Sequence, residues 1–206
     1  MAVETVSQPL ALTSEQRKEF DEQGFVVIPG FFTPEELDRL HRAIDEVGAR
    51  IRKEKGLALD APFALRNALS HHDAFLDLID HPRMLPLVVD VIGWNIQIRT
   101  THLDYRPPYP KDLQAGELGS GKGADHAAGY RNVVWHPDLA GHYLFEAPSL
   151  DGRLPYMEVK VGYFLSNVTE RNSGALCLVP GSHLRKPQEL RDMDHHVDPK
   201  EVLELN

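Results

Sequence analysis

The chain has 206 residues, 42% of them apolar, and a formal net charge of −9. That is enough for one sizeable core and one domain, and the acidic balance argues against nucleic acid or an anionic membrane surface as the main partner. Cys177 is the single cysteine, which excludes an internal disulfide framework and a cysteine zinc site and fits a reducing compartment.

Residues 1–12 read as a flexible tail and 13–206 as a single domain. The opening MAVETVSQPLALTSEQ lacks the basic start and long apolar run of a signal peptide, and no segment reaches the roughly 18 apolar residues of a membrane span; a cytoplasmic location is expected. TSEQRKEFDEQG predicts a short helix, capped by Thr13 with Gln16 three residues on and stopped at Gly24. FVVIPGFF predicts a brief strand ending at Pro29-Gly30. The clearest helix runs from Thr33 to Gly56: Pro34 opens it, Glu35 and Glu36 favour its positive end, and Leu37, Leu40, Ile44, Val47 and Ile51 recur at helical spacing. HHDAFLDLIDHPRMLPLVVDVIG predicts two short helices broken at His81-Pro82. His71 and His72, adjacent on a helix, point apart and suit surface or capping roles better than joint ligation.

From Trp94 the period changes. WNIQIRTTHLDYR alternates as a strand should, residues 107–129 form a long Pro- and Gly-rich loop, and YRNVVW, YMEVKVGYFLSNV and ALCLVPG predict further strands. Cys177 lies in the last of these and reads as a small buried hydrophobe. After GSHLRK the chain turns polar, and His195 and His196 fall in that solvated stretch. Helices first and strands later predict an α+β fold with an antiparallel core. GELGSGKG has the spacing of a phosphate-binding loop, but Gly123 stands where Ser or Thr would hold magnesium, and no strand or helix flanks it; a surface loop is the better reading.

The chemistry-bearing stretch is RNVVWHPDLAGHY. On a strand, His136 and Asp138 point to one face and can reach one metal ion. Imidazole with carboxylate suits Fe(II) in a two-histidine, one-carboxylate triad with open positions. Pro137 cannot donate to a ladder, which places the pair at a strand end or edge.

Several ordered segments resemble the phytanoyl-CoA dioxygenase family of Fe(II)/2-oxoglutarate oxygenases: FDEQGFVVIPGFFTPEELDRL, LDYRPPYP, WHPD, and VGYFLSNVTERNSGALCLVPGSH, across residues 13 to 186. The resemblance implies a double-stranded β-helix (a cupin-like jelly roll) with N-terminal helices on one side. It implies Fe(II) held by His136 and Asp138, with 2-oxoglutarate and dioxygen as co-substrates and a small organic molecule or acyl thioester as the hydroxylated substrate. Asp at 138 frees no ligand position for halide, which favours hydroxylation over halogenation. Arg106 stands where the family often has a lysine near 2-oxoglutarate, with a surface arginine as the alternative reading. Tyr163 stands where an aromatic lines the site, with an inward core residue as the alternative. His183, in PGSH, belongs by resemblance to a turn and not to the iron.

The family's second iron histidine and the arginine for the far carboxylate of 2-oxoglutarate come on later strands, and no histidine after 183 lies in a strand pattern here. The expectation is therefore an incomplete jelly roll lacking its C-terminal strands, from a truncated member or a fragment of a longer chain. His136, Asp138 and His142 at offsets zero, two and six offer a local alternative third ligand, although LAGHY resembles the turn that follows His-x-Asp. From another class, a jelly-roll binding module without catalysis would also account for an incomplete triad. Substrate and oligomeric state are not readable, since fold does not fix function.

Overall fold

The computed structural model describes residues 11–106, 156–170, 175–185, 189 and 197–205. They form a mixed arrangement of helices and small antiparallel sheets. Helix α1 (Ser14–Gln23) has a complete capping box: Gln16 N–H donates to Thr13 Oγ1 and Thr13 N–H donates to the Gln16 side chain. Gly24 closes it in the left-handed region at φ 85°, where glycine carries no Cβ penalty.

Helix α2 (Pro34–Lys55) is built the same way, with Thr33 and Glu36 as the box, Pro34 in the first turn, and Arg52, Lys53 and Lys55 at the negative end. Its inward stripe of Leu40, Ala43, Val47 and Ile51 makes the core with Phe63, Leu65, Ala74 and Phe75. Phe63 and Leu65 come from β1 (Phe63–Arg66), which pairs antiparallel with β2 (His102–Tyr105) in the register Phe63↔Tyr105, Leu65↔Leu103 and Arg66↔His102. Gly48 lets this sheet approach α2: a Cβ there would stand 2.9 Å from the Phe63 ring. The Phe63 and Tyr105 rings stack at 5.5 Å, and the buried Arg52 guanidinium lies 5.0 and 4.8 Å from their centroids.

The region after β1 contains two short 3₁₀ segments, Ala68–His71 and Asp73–Leu78, then α3 (Leu85–Ile92). His72 caps the second segment, its Nδ1 accepting from Ala74 N–H at 3.0 Å, which is the capping role its position suggested. A second two-residue ladder joins β3 (Cys177–Leu178) to β4 (Leu203–Glu204).

Four strand expectations are corrected. FVVIPGFF forms no strand; its Phe31 and Phe32 instead anchor an aromatic cluster, and Gly30 turns the chain at φ 62°. WNIQIRTTHLDYR is a strand only over its last part, His102–Tyr105, with Trp94 and Ile98 exposed. YMEVKVGYFLSNV is in no ladder among the described residues, and ALCLVPG is reduced to Cys177–Leu178. Strand formation requires a hydrogen-bonded neighbour, and alternation alone does not supply one. β1 and β4 were not expected. The first of the two expected short helices is 3₁₀ and not α. The loop 107–129, the GELGSGKG segment and YRNVVW lie outside the described residues.

Candidate functional site

Two polar groupings flank the α2 core. The first is on the face of the β1–β2 ladder turned away from α2. His102 and Asp104 alternate on it, Arg66 stands directly across from His102, and Arg106 follows at the same parity. Arg66 Nη1 lies 2.5 Å from His102 Nε2, and Arg106 donates to Asp104 Oδ1 at 3.0 Å. Desolvation, the Arg66 guanidinium and the charge of Lys160 push the His102 pKa below its ordinary value, with Asp104 pulling the other way. Arg106 is thus placed on an exposed polar face, engaged with a carboxylate.

The second grouping is aromatic and lies at the start of α2. Tyr163 is half-buried, its ring 5.8 and 5.2 Å from Phe31 and Phe32, and its hydroxyl donates to Leu78 O at 3.2 Å. Burial pushes its pKa up to about 12, so the phenol stays protonated. Beside it, His81 is buried. Its Nδ1 accepts from Arg83 N–H at 3.2 Å, so Nε2 carries the proton and donates to Glu36 Oε1, also at 3.2 Å. Arg83 adds a 2.6 Å bond to Glu36 Oε2 and lies 4.8 Å from the Phe31 ring centroid. Burial raises the Glu36 pKa, but the Thr33 N–H, His81 and Arg83 outweigh it and hold the carboxyl below the ordinary value. Tyr163 and Arg106 therefore belong to different groupings, and the Tyr163 hydroxyl binds Leu78 and not Arg106.

His183 sits in the turn that the PGSH motif makes. Its Nε2 donates to Asp21 O at 3.1 Å, and its ring stacks on Tyr156 at 6.5 Å. Gly181 N–H donates to Gln23 O at 2.8 Å in the same contact. A Cβ on Gly24 would come within 2.5 Å of the His183 ring, so that glycine serves the packing as well as the helix stop. Cys177 is half-buried, and burial with the nearby Glu204 charge pushes its thiol up to about 11, away from nucleophilic use.

His136, Asp138 and His142, with His195 and His196, lie outside the described residues. Among the described residues no group of three His, Cys, Asp or Glu side chains is placed to hold a metal ion. Sequence reasoning missed the Glu36–His81–Arg83 and Arg66–His102 contacts. The dipeptide His81-Pro82 signalled only a helix break, and Arg66 was in a strand that carried no alternating pattern.

A model of the phytanoyl-CoA dioxygenase (PhyH) family matches residues 20–204, which covers both groupings and the WHPD stretch. The chain belongs to this family. Among curated relatives, a protein of Stutzerimonas stutzeri described as a probable alpha-ketoglutarate-dependent hypophosphite dioxygenase is 23% identical over 193 residues, 88% of this chain and 57% of the relative. Ectoine dioxygenases of Bordetella bronchiseptica and Halomonas elongata are 21% and 24% identical, over 84% of this chain and 50% and 46% of their own length. The chain spans about half the length of the curated relatives it matches. No solved structure matches it significantly.

Proposed function

We propose that the protein is an Fe(II)- and 2-oxoglutarate-dependent dioxygenase that hydroxylates a small organic molecule or acyl thioester. The observation that carries this reading is a family match running through residues 20–204 with His136-Pro137-Asp138 inside it. Relatives whose names specify dioxygenase or alpha-ketoglutarate-dependent chemistry support the same class. The donor set fits the metal: an imidazole nitrogen and a carboxylate oxygen are the borderline and hard ligands that Fe(II) takes in oxygenases.

His136 and Asp138 would hold the iron, and when bound the metal with 2-oxoglutarate and dioxygen supplies C–H hydroxylation coupled to decarboxylation of the co-substrate. Arg106 offers a cation for a co-substrate carboxylate, with Asp104 at 3.0 Å as its competitor and orienting partner. Tyr163, neutral and half-buried beside Phe31 and Phe32, would give the site an apolar wall that excludes water. The antiparallel β1–β2 ladder with α2 packed on one face, together with the family, supports a double-stranded β-helix carried by a single domain over 13–206.

The test is anaerobic titration with Fe(II) and 2-oxoglutarate, read as the visible charge-transfer band of the chelate. The wild type should show it, and His136→Ala and Asp138→Ala should lose it. His142→Ala should keep it, because LAGHY resembles a turn and not a third donor. A folded wild-type chain that shows no band at saturating metal would sink the proposal and favour a binding module.

A further inference from the structure

The polar face of the β1–β2 ladder carries charge that the core does not use. Phe63, Leu65, Leu103 and Tyr105 take the α2 side, so alternation sends Arg66, His102 and Asp104 to the other. There, Arg66 is exposed and lies 2.5 Å from His102 Nε2. A guanidinium can only donate, so Nε2 is the acceptor and the imidazole is neutral, with its proton on Nδ1. Thr100 Oγ1 stands 3.1 Å from the same nitrogen. Among the described residues Arg66 has no carboxylate partner; its directed bond is to a neutral ring.

That arrangement orients the guanidinium while leaving its positive charge uncompensated by the ring. Arginine presents five N–H donors in a planar fork that matches carboxylate and phosphate oxygens two at a time. Lys160 is close enough to act on the charge of His102, and Arg106 lies on the same face beside Asp104. In a chain of net charge −9, an oriented and exposed guanidinium with no carboxylate partner among the described residues is a place where an anion can be held.

We propose that this face binds an oxyanion group, carboxylate or phosphate, of the enzyme's primary substrate. Arg66 is the direct ligand, and His102 is a positioning residue that holds the fork. The inference rests on the oxygenase reading, because Arg106, on the same face, is the residue the family resemblance sets near 2-oxoglutarate. A carboxylate of 2-oxoglutarate is the other oxyanion of matching chemistry, and the experiment separates the two.

Inorganic phosphate is titrated into the chain before iron is added, with binding heat and the NMR signals of the His102 ring as readouts. Saturable binding that moves the His102 signals is expected, about tenfold weaker in Arg66→Gln, intermediate in Arg66→Lys, and weakened by salt. Arg66 is exposed, so both variants should melt as the wild type does. Fe(II) and 2-oxoglutarate are then added anaerobically and the charge-transfer band is titrated. Phosphate that leaves the His102 signals unmoved, or binds Arg66→Gln as well as wild type, overturns the proposal. So does an Arg66→Gln protein that loses affinity for 2-oxoglutarate in place of phosphate, since the fork then seats the co-substrate. A wild type that binds phosphate through Arg66 but shows no band would sink the oxygenase reading and support the anion site.

Discussion

Glu36 shows how one side chain can serve a helix and its surroundings together. It accepts from Thr33 N–H at 2.7 Å as half of the capping box, and from His81 and Arg83 at 3.2 and 2.6 Å. Thr33→Ala removes one cap bond, a loss of about 1 kcal/mol. Glu36→Ala removes the other half of the box and also leaves the buried His81 and the partly buried Arg83 without their acceptor, so its loss should be larger, about 2 kcal/mol. Urea unfolding of the two variants checks the order; equal losses would mean that the His81 and Arg83 contacts contribute nothing net. The capping half of this role was legible in the sequence as Thr33 followed by Glu36. The other half was not, because His81 is 45 residues away and nothing local marks it as a partner.

At the scale of elements, helices α1 and α2 were legible to their caps, and the strands mostly were not. Thr13, Gly24, Thr33 and Gly56 bound α1 and α2 as read, since capping is satisfied within a few residues. A strand depends on a partner distant in sequence, and FVVIPGFF and YMEVKVGYFLSNV show alternation or β-branching without a ladder among the described residues. The converse case is β1, whose FALR is too short and too weakly patterned to be read, yet pairs fully with β2. Its fit against α2 depends on Gly48. Gly48→Ala should raise intrinsic helix propensity by about 1 kcal/mol. It also puts a Cβ 2.9 Å from the Phe63 ring and the Arg52 guanidinium, an overpacking that costs about 1–3 kcal/mol. The net expectation is destabilisation, seen as a melting temperature lower by about 2–4 °C per kcal/mol. A melting temperature at or above wild type would mean that the sheet can shift away from α2 without loss.

For the whole molecule, two titrations act on stability in the same direction. The folded-state pKa of His102 lies below its ordinary 6.5, so the folded chain binds fewer protons than the unfolded chain in the window beneath that value. Stability therefore falls as pH drops below about 6.5. Glu36 is also depressed, so its contribution is present above 4.5 and is lost as pH falls through its folded value. Acid unfolding should accordingly begin with a His102-linked loss and continue with a Glu36-linked one. NMR titration of the His102 ring checks the first part: a midpoint at or above 6.5 in the folded chain would contradict the Arg66 contact.

The sequence by itself determined helices α1 and α2, their caps and the family, and it supplies in His136 and Asp138 the residue types that the proposed iron site needs. Each of these is carried by spacing or by side-chain chemistry over short stretches of chain. Tertiary structure alone decided that Arg66 meets His102, that His81 meets Glu36, and that the PGSH turn docks its histidine against Gly24. Those contacts join residues 36, 45 and about 160 positions apart. Sequence patterns report which face a side chain prefers, whereas register and helix–sheet packing select the side chain it meets.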